Sequence, residues 1–133
     1  MKVTLALLAD AANVSQEGKL NVLGVFNSIN AANFPAQHLM MQLVLRFEAS
    51  LAEAGMKKKM TVKLLDEDGG AIGEINGELQ VPDKPLGKKA RRIQMQAIIP
   101  VPGVIFPKPG EYVFSVLIDG REEEETTLTL IQT

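Results

Sequence analysis

Residues 109–131 read PGEYVFSVLIDGREEEETTLTLI. Tyr112, Phe114, Val116 and Ile118 fall at every second position, the period of a strand that buries one face. Asp119-Gly120 follows, a strong hairpin turn signal, and Leu128 and Leu130 lie on a returning strand. The numbers do not match across a plain two-residue loop. Such a loop sets Glu125 opposite Phe114 and leaves Tyr112 out of step with Leu128. One extra residue restores the match, because side chains alternate with period two. The stretch therefore predicts a bulged hairpin, with a three-residue turn ending on a left-handed Gly120 as the simplest form.

The same period runs outward through the chain. Val3, Leu5 and Leu7 alternate with polar or small residues, and Leu20, Val22 and Phe26 share one face of a second strand that contains Gly24. Ser28 to Pro35 reads as a strand end passing into a loop. Met41, Leu43, Leu45 and Phe47 alternate with polar residues, and only Val44 breaks the pattern. Ser50 and Glu53 have capping-box spacing and Gly55 can end a helix, so one short helical turn near residues 50–55 is expected. Met60, Val62 and Leu64 lead to the acidic turn Asp66 to Gly70. Residues 72–81 return with Gly73 and Gly77 inside, and 82–89 form a polar loop. Ile93, Met95, Ala97 and Ile99 make a further strand. The pattern gives about eight strands without βα alternation. It predicts an all-β single domain over residues 1–133, an antiparallel β-sandwich that is immunoglobulin-like or jelly-roll-like, with a barrel as second choice.

Bulk composition narrows the function. The chain has 133 residues, no cysteine and a formal net charge of −2. Disulfides, thiolate metal sites and cysteine nucleophiles are excluded. The charge supplies no global attraction to nucleic acid or to an anionic membrane. Val3 to Ala9 sits at the lower limit of a signal-peptide core and reads as a buried first strand. No run approaches the ~20 apolar residues of a membrane span. A cytoplasmic protein is expected.

No motif for chemistry emerges. In the predicted strand Glu122 and Glu124 point one way and Glu123 and Glu125 the other, with same-face neighbours roughly 6.5–7 Å apart. That spacing suits a charged strand that resists edge pairing better than a metal site. His38 is the only histidine, and no serine lies in a G-x-S-x-G elbow. Asp66 to Gly69 lacks the calcium-loop spacing, and GGAIGEING lacks the G-K-[ST] of a phosphate loop. The basic runs 57–59, 88–89 and 91–92 come with few aromatics for base stacking. The expectation is no catalytic residue, no metal site and no cofactor. The apolar segment 98–110 carries four prolines, which bar it from a central strand. It reads as a connection that either caps the sandwich or presents Val101, Val104, Ile105 and Phe106 as an interaction surface.

Several separated blocks resemble a family of small bacterial proteins of unknown function: ADAANVSQEGKLNVLGVFNSINAANFPAQH, LVLRFEASLAEAG, LLDEDG and VIFPKPGEYVFSVLIDG. The resemblance implies an all-β bacterial protein and brings no catalytic motif. PGEY before an alternating strand also resembles immunoglobulin-like sandwiches. There Tyr112 would tie its hydroxyl to nearby backbone. Three functions follow as expectations. The first is a non-enzymatic protein-binding or assembly module, meeting a protein partner or a second copy. The second is a metal-dependent or hydrolytic enzyme built from His38, Asp10, Asp66, Asp68 and Glu123. The third is a small-ligand carrier with a cavity in the sandwich.

Overall fold

The computed structural model describes residues 1–83 and 91–133, so Lys88 and Lys89 and most of the expected polar loop lie outside the described residues. The strands are β1 (Lys2–Val14), β2 (Leu20–Phe26), β3 (Ser28–Ala31), β4 (Ala36–Ser50), β5 (Lys57–Leu65), β6 (Ala71–Gln80), β7 (Arg92–Phe106), β8 (Gly110–Ile118) and β9 (Arg121–Gln132). They form a four-stranded sheet in the order β2-β1-β4-β7 and a five-stranded sheet in the order β3-β9-β8-β5-β6. Their inner faces build the core of a β-sandwich. The strand count exceeds the expected eight by β3. This short strand leaves the first sheet after Asn27 and pairs in parallel with β9, from Ser28 opposite Thr129 to Ala31 opposite Gln132. Four residues with little alternation give no sequence signal for a strand that changes sheets.

The inner faces follow the apolar periods except in β1, where a register shift between Val3 and Leu5 turns Leu5 and Leu7 outward and sends Val3, Ala6 and Leu8 into the core. Met41, Leu43, Leu45 and Phe47 of β4 are fully buried and meet Val62, Phe114, Val116 and Leu128 of the other sheet in one cluster. Val44, the break in the alternation, is also fully buried, although it lies on the outer face. Its cross-strand neighbours are Leu7 and Ile98, so apolar side chains surround it on the central strand.

The β8–β9 hairpin has the extra residue, in a different place from the one expected. Asp119 and Gly120 both have positive φ, 50° and 83°, and close a two-residue loop between Ile118 and Arg121. This is the loop whose twist suits antiparallel strands. The register slips one step further on, where Leu117 faces Glu122 and Val116 faces Glu124. Glu123 is the bulge residue, and Tyr112 then meets Leu128. The bulge also reorders the glutamates. Glu122 and Glu125 share the outer face, and Glu124 takes the face of Val116. The single short helical turn is a 3₁₀ turn over Leu51–Glu53. The backbone N–H of Ser50 donates to Glu53 Oε1 at 2.9 Å, as the capping-box spacing predicts.

The segment 98–110 is not a free connection. Its first part continues β7 to Phe106, with Pro100 opposite Gln42 and Pro102 opposite Met40. The prolines are admitted because β7 is an edge strand and needs no N–H on its free side. At Gly103, φ +62, the strand changes faces. Ile99 and Val101 point inward before it, and Val104 and Phe106 after it.

Tyr112 fixes the turn into β8. Its hydroxyl donates to the Lys108 carbonyl at 2.6 Å and accepts from the Lys108 N–H at 3.3 Å, while its ring meets Phe106 edge-on at 5.0 Å. Tyr112→Phe keeps the ring and strips both backbone groups of their partner. It should lower unfolding free energy by about 1–2 kcal/mol in urea denaturation. An unchanged midpoint and slope would show that the hydroxyl bonds contribute nothing.

Candidate functional site

The two sheets leave a cleft where the free edge of β6 faces the free edge of β7. It holds about 360 Å³. Val62, Leu64 and Phe114 form its floor, and all three belong to the core. Ile72 and Ile75 of β6 and Val104 of β7 form its walls. Gly73 opens it. This residue lies opposite Leu64 in the β5–β6 register, where a strand would ordinarily send a side chain inward. A Cβ there would sit 3.9 Å from Leu64 Cβ, an ordinary contact, so the space is real and fillable. Gly77, the other inward glycine, is filled from below by Met60, whose Cε lies 3.7 Å from the missing Cβ.

Three of the four residues expected to form an interaction surface, Val101, Val104 and Ile105, line this cleft. They contribute unequally. Val101 is buried, Val104 is half-buried and Ile105 is 57% exposed. Phe106 is fully buried against Tyr112 and is not available to a partner. The sequence pointed to the β7 side of the cleft. It missed the β6 side, although Gly73 at an inward position of an alternating strand was the available signal.

The residues considered for enzymatic work lie in three separate places. Asp10 and His38 line one recess with Phe26 and Ser28, and the Phe26 ring packs on His38 with centroids 5.8 Å apart. Asp66 is used inside its own turn, where Oδ1 accepts from the N–H of Asp68 at 3.0 Å and of Gly70 at 2.8 Å. Asp68 stands 3.8 Å from Lys108. Glu123 lines a different recess, with Lys58, Asp119 and Arg121. Among the described residues no three acidic or histidine side chains are grouped to hold a metal ion. Glu122 accepts a hydrogen bond from the buried Ser115 hydroxyl on the outer face.

The charge cluster at the end of the sandwich centres on Glu53. Burial alone would raise its carboxyl pKa from 4.5. Hydrogen bonds from the Ser50 N–H, the Met1 α-amino group and Lys58 outweigh that and hold it at about 2. The amino group is 2.9 Å away and Lys58 Nζ 3.0 Å, and Lys58 also reaches Asp119 at 3.8 Å. Beside this cluster the Arg92 guanidinium, hydrogen-bonded to Glu48, holds that carboxyl below its ordinary value. Both carboxyls are pinned in the ionised form by cations and serve as structural ion pairs.

Residues 4–131 match a family described as a family of unknown function (DUF6941), and the chain belongs to it. Comparison with curated proteins finds no match. Among solved structures the chain is similar to the Pseudomonas fluorescens alkylpurine DNA glycosylase AlkC bound to DNA containing an abasic site analog. The TM-score is 0.51 and the identity 15%, over 98% of this chain and 30% of that one. The chain thus spans less than a third of the glycosylase, and the likeness is one of fold. It is also similar to an immunoglobulin-like protein of Pseudomonas aeruginosa, with a TM-score of 0.42 and 11% identity over 92% of this chain and 95% of that one. No helix among the described residues is long and apolar enough to cross a membrane.

Glu53 gives a pH test of the ion cluster. A carboxyl lowered from 4.5 to about 2 adds stability that is present above its unfolded pKa and is lost as pH falls through the folded one. The full shift corresponds to roughly 3 kcal/mol as a ceiling. Glu53→Gln should therefore melt lower than the parent at neutral pH. The difference in melting temperature should shrink steadily below pH 4.5 and close near pH 2. A gap that stays constant with pH would mean that the charge of Glu53 is not what stabilises this end.

Proposed function

We propose that this chain, a member of a family of unknown function, is a non-enzymatic binding module that holds an apolar group of a protein partner in the cleft between β6 and β7. The observation that carries this reading is the cleft itself. It is apolar on its floor and walls, and is opened by a glycine at an inward position of β6. Pockets that bind ligands are concave and mostly apolar, with volumes from about 300 Å³ upward. Here the opening lies beside two strand edges, so an extended segment can run along β6 by main-chain hydrogen bonds and send one side chain inward. Asp10, Ser28 and His38 share one recess, while Asp66, Asp68 and Glu123 lie apart from it.

The reading places the protein in the cytoplasm of a bacterium. A cysteine-free chain is compatible with such a reducing compartment. It does not extend to nucleic acid. Lys and Arg together number 14 against 16 Asp and Glu, and the DNA in the glycosylase structure belongs to that protein. A small-ligand carrier is the second reading, favoured by the cleft volume.

Amide shift mapping separates the two. A short extended apolar peptide should move the resonances of Ile72, Gly73, Ile75 and Val104 saturably. Gly73→Val, which fills the cleft at a position with room for a side chain, should weaken it at least about tenfold. Saturable binding of a medium-chain fatty acid at the same residues, with no response to peptide, would replace the module by the carrier. Silence of these residues toward both would reject the cleft as the site.

A further inference from the structure

Four strands meet around a recess of about 300 Å³ where β2 passes into β3. Asp10 of β1, Phe26 of β2, Ser28 and Ile29 of β3 and His38 of β4 line it. It shares no lining residue with the β6–β7 cleft. Phe26 and Ile29 are half-buried and pack on the core, so they make an apolar floor. Asp10 and Ser28 are exposed and form the mouth. His38 is half-buried, its ring centroid 5.8 Å from that of Phe26. The Asp10 carboxylate has a built seat. The β1–β2 register sets Ala9 against Val25 and Ala11 against Leu23, so Asp10 lies across from Gly24. Gly24 has φ +72, and a Cβ on it would overlap the Asp10 carboxylate, 2.9 Å from Cγ. Any other residue there would displace the carboxylate. No lysine or arginine lines the recess, and the ion pairs among the described residues leave Asp10 out.

We propose that the recess is a second binding site, for an alkylammonium group whose charge sits between Asp10 and Ser28 and whose carbon chain lies on Phe26 and Ile29. The sign of the charge follows from Asp10. With no cation of the protein beside it, a carboxylate at the mouth repels anions and attracts a cation. The Ser28 hydroxyl offers a second acceptor, and an ammonium has three N–H donors to share between them. The Phe26 ring adds the attraction of an aromatic face for a nearby cation. The apolar floor selects an organic cation over a hydrated metal ion, and among the described residues no third acid or histidine joins Asp10 and His38 to hold a metal. An apolar floor below a polar mouth fits a free amine whose chain enters first. A lysine side chain of a partner carries the same group in the opposite order, with the charge leading.

Amide shift mapping of the full chain with n-butylammonium chloride tests this. The resonances of Asp10, Gly24, Ser28 and His38 should move saturably. Butan-1-ol, which has the chain without the charge, should bind at least about tenfold more weakly. Asp10→Asn keeps the size of the side chain over Gly24 and should weaken the amine at least about tenfold. Asp10 is exposed, so the circular dichroism melt of this variant should stay close to the parent. Should it melt early, the comparison with butanol still decides on the unaltered protein. Gly73→Val should bind the amine like the parent, which keeps failure of the cleft distinct from failure of the recess. Nα-acetyl-lysine methylamide identifies the source of the group. Weaker binding than butylammonium assigns the site to a free amine and tighter binding to a protein lysine, and either supports an ammonium site. Silence of these resonances toward both amines, an equal response to butanol, or an Asp10→Asn variant that binds as tightly as the parent would overturn the inference.

Discussion

The structure depends on one constraint, the strict alternation of side chains along a strand. A sandwich has one inner face per sheet, and each strand must keep its apolar set on that face over its whole length. β4 and β7 each run for 15 residues and β1 for 13. At such lengths the fold corrects the phase locally. The β1–β4 register shifts between Val3 and Leu5, which lets Val3, Ala6 and Leu8 all face inward. Glu123 does the same for β9, so that Leu128 meets Tyr112. Gly103 does it for β7, where positive φ is easy only for a residue without Cβ. Each correction costs a little regular pairing and keeps a row of apolar side chains in the core.

The correction at Gly103 also shapes the surface. It turns Ile105 out and Val104 in at the lip of the cleft, while the buried Phe106 remains the stop against which Tyr112 packs. The turn into β8 is then held by the Tyr112 hydroxyl on Lys108 and by Glu67, which accepts from the Glu111 N–H at 2.7 Å. The β7 wall of the cleft therefore stands on a rigid corner. The β6 wall has less support. It is an edge strand with two inward glycines, and only one of those gaps is filled by a neighbouring side chain. The cleft combines a fixed wall with one whose inward glycine leaves room.

How much of this the sequence disclosed can be judged residue by residue. The inner face of β4 was legible because Met41 to Phe47 obey the period, and so was the helical turn, because Ser50 and Glu53 have capping spacing. The need for an extra residue in the last hairpin followed from parity, but parity is indifferent to position. A longer turn and a bulge at Glu123 satisfy it equally, and only the positive φ of Asp119 as well as Gly120 selects the bulge. The strand character of Pro100 to Phe106 was hidden because proline tells against a central strand and is neutral about an edge, and edge status is a property of the assembled sheet. The cleft was half legible for the same reason. Val104 and Ile105 marked themselves by being apolar in a proline-rich stretch, whereas Gly73 marks a space only once its partner Leu64 and the opposite sheet are known.

The distribution of charge over the sandwich is the last link between sequence and behaviour. The outer face of the five-stranded sheet carries cross-strand Lys59 with Glu78 and Lys63 with Glu74, along with Glu122 and Glu125. The middle of the other outer face carries Leu7, Ala9, Val44 and Ile98 and ends on the exposed Leu23 and Val25 of β2. Opposed charges thus keep one outer face hydrated, while Ala9 and Val44 at the middle of the other are fully buried among apolar neighbours.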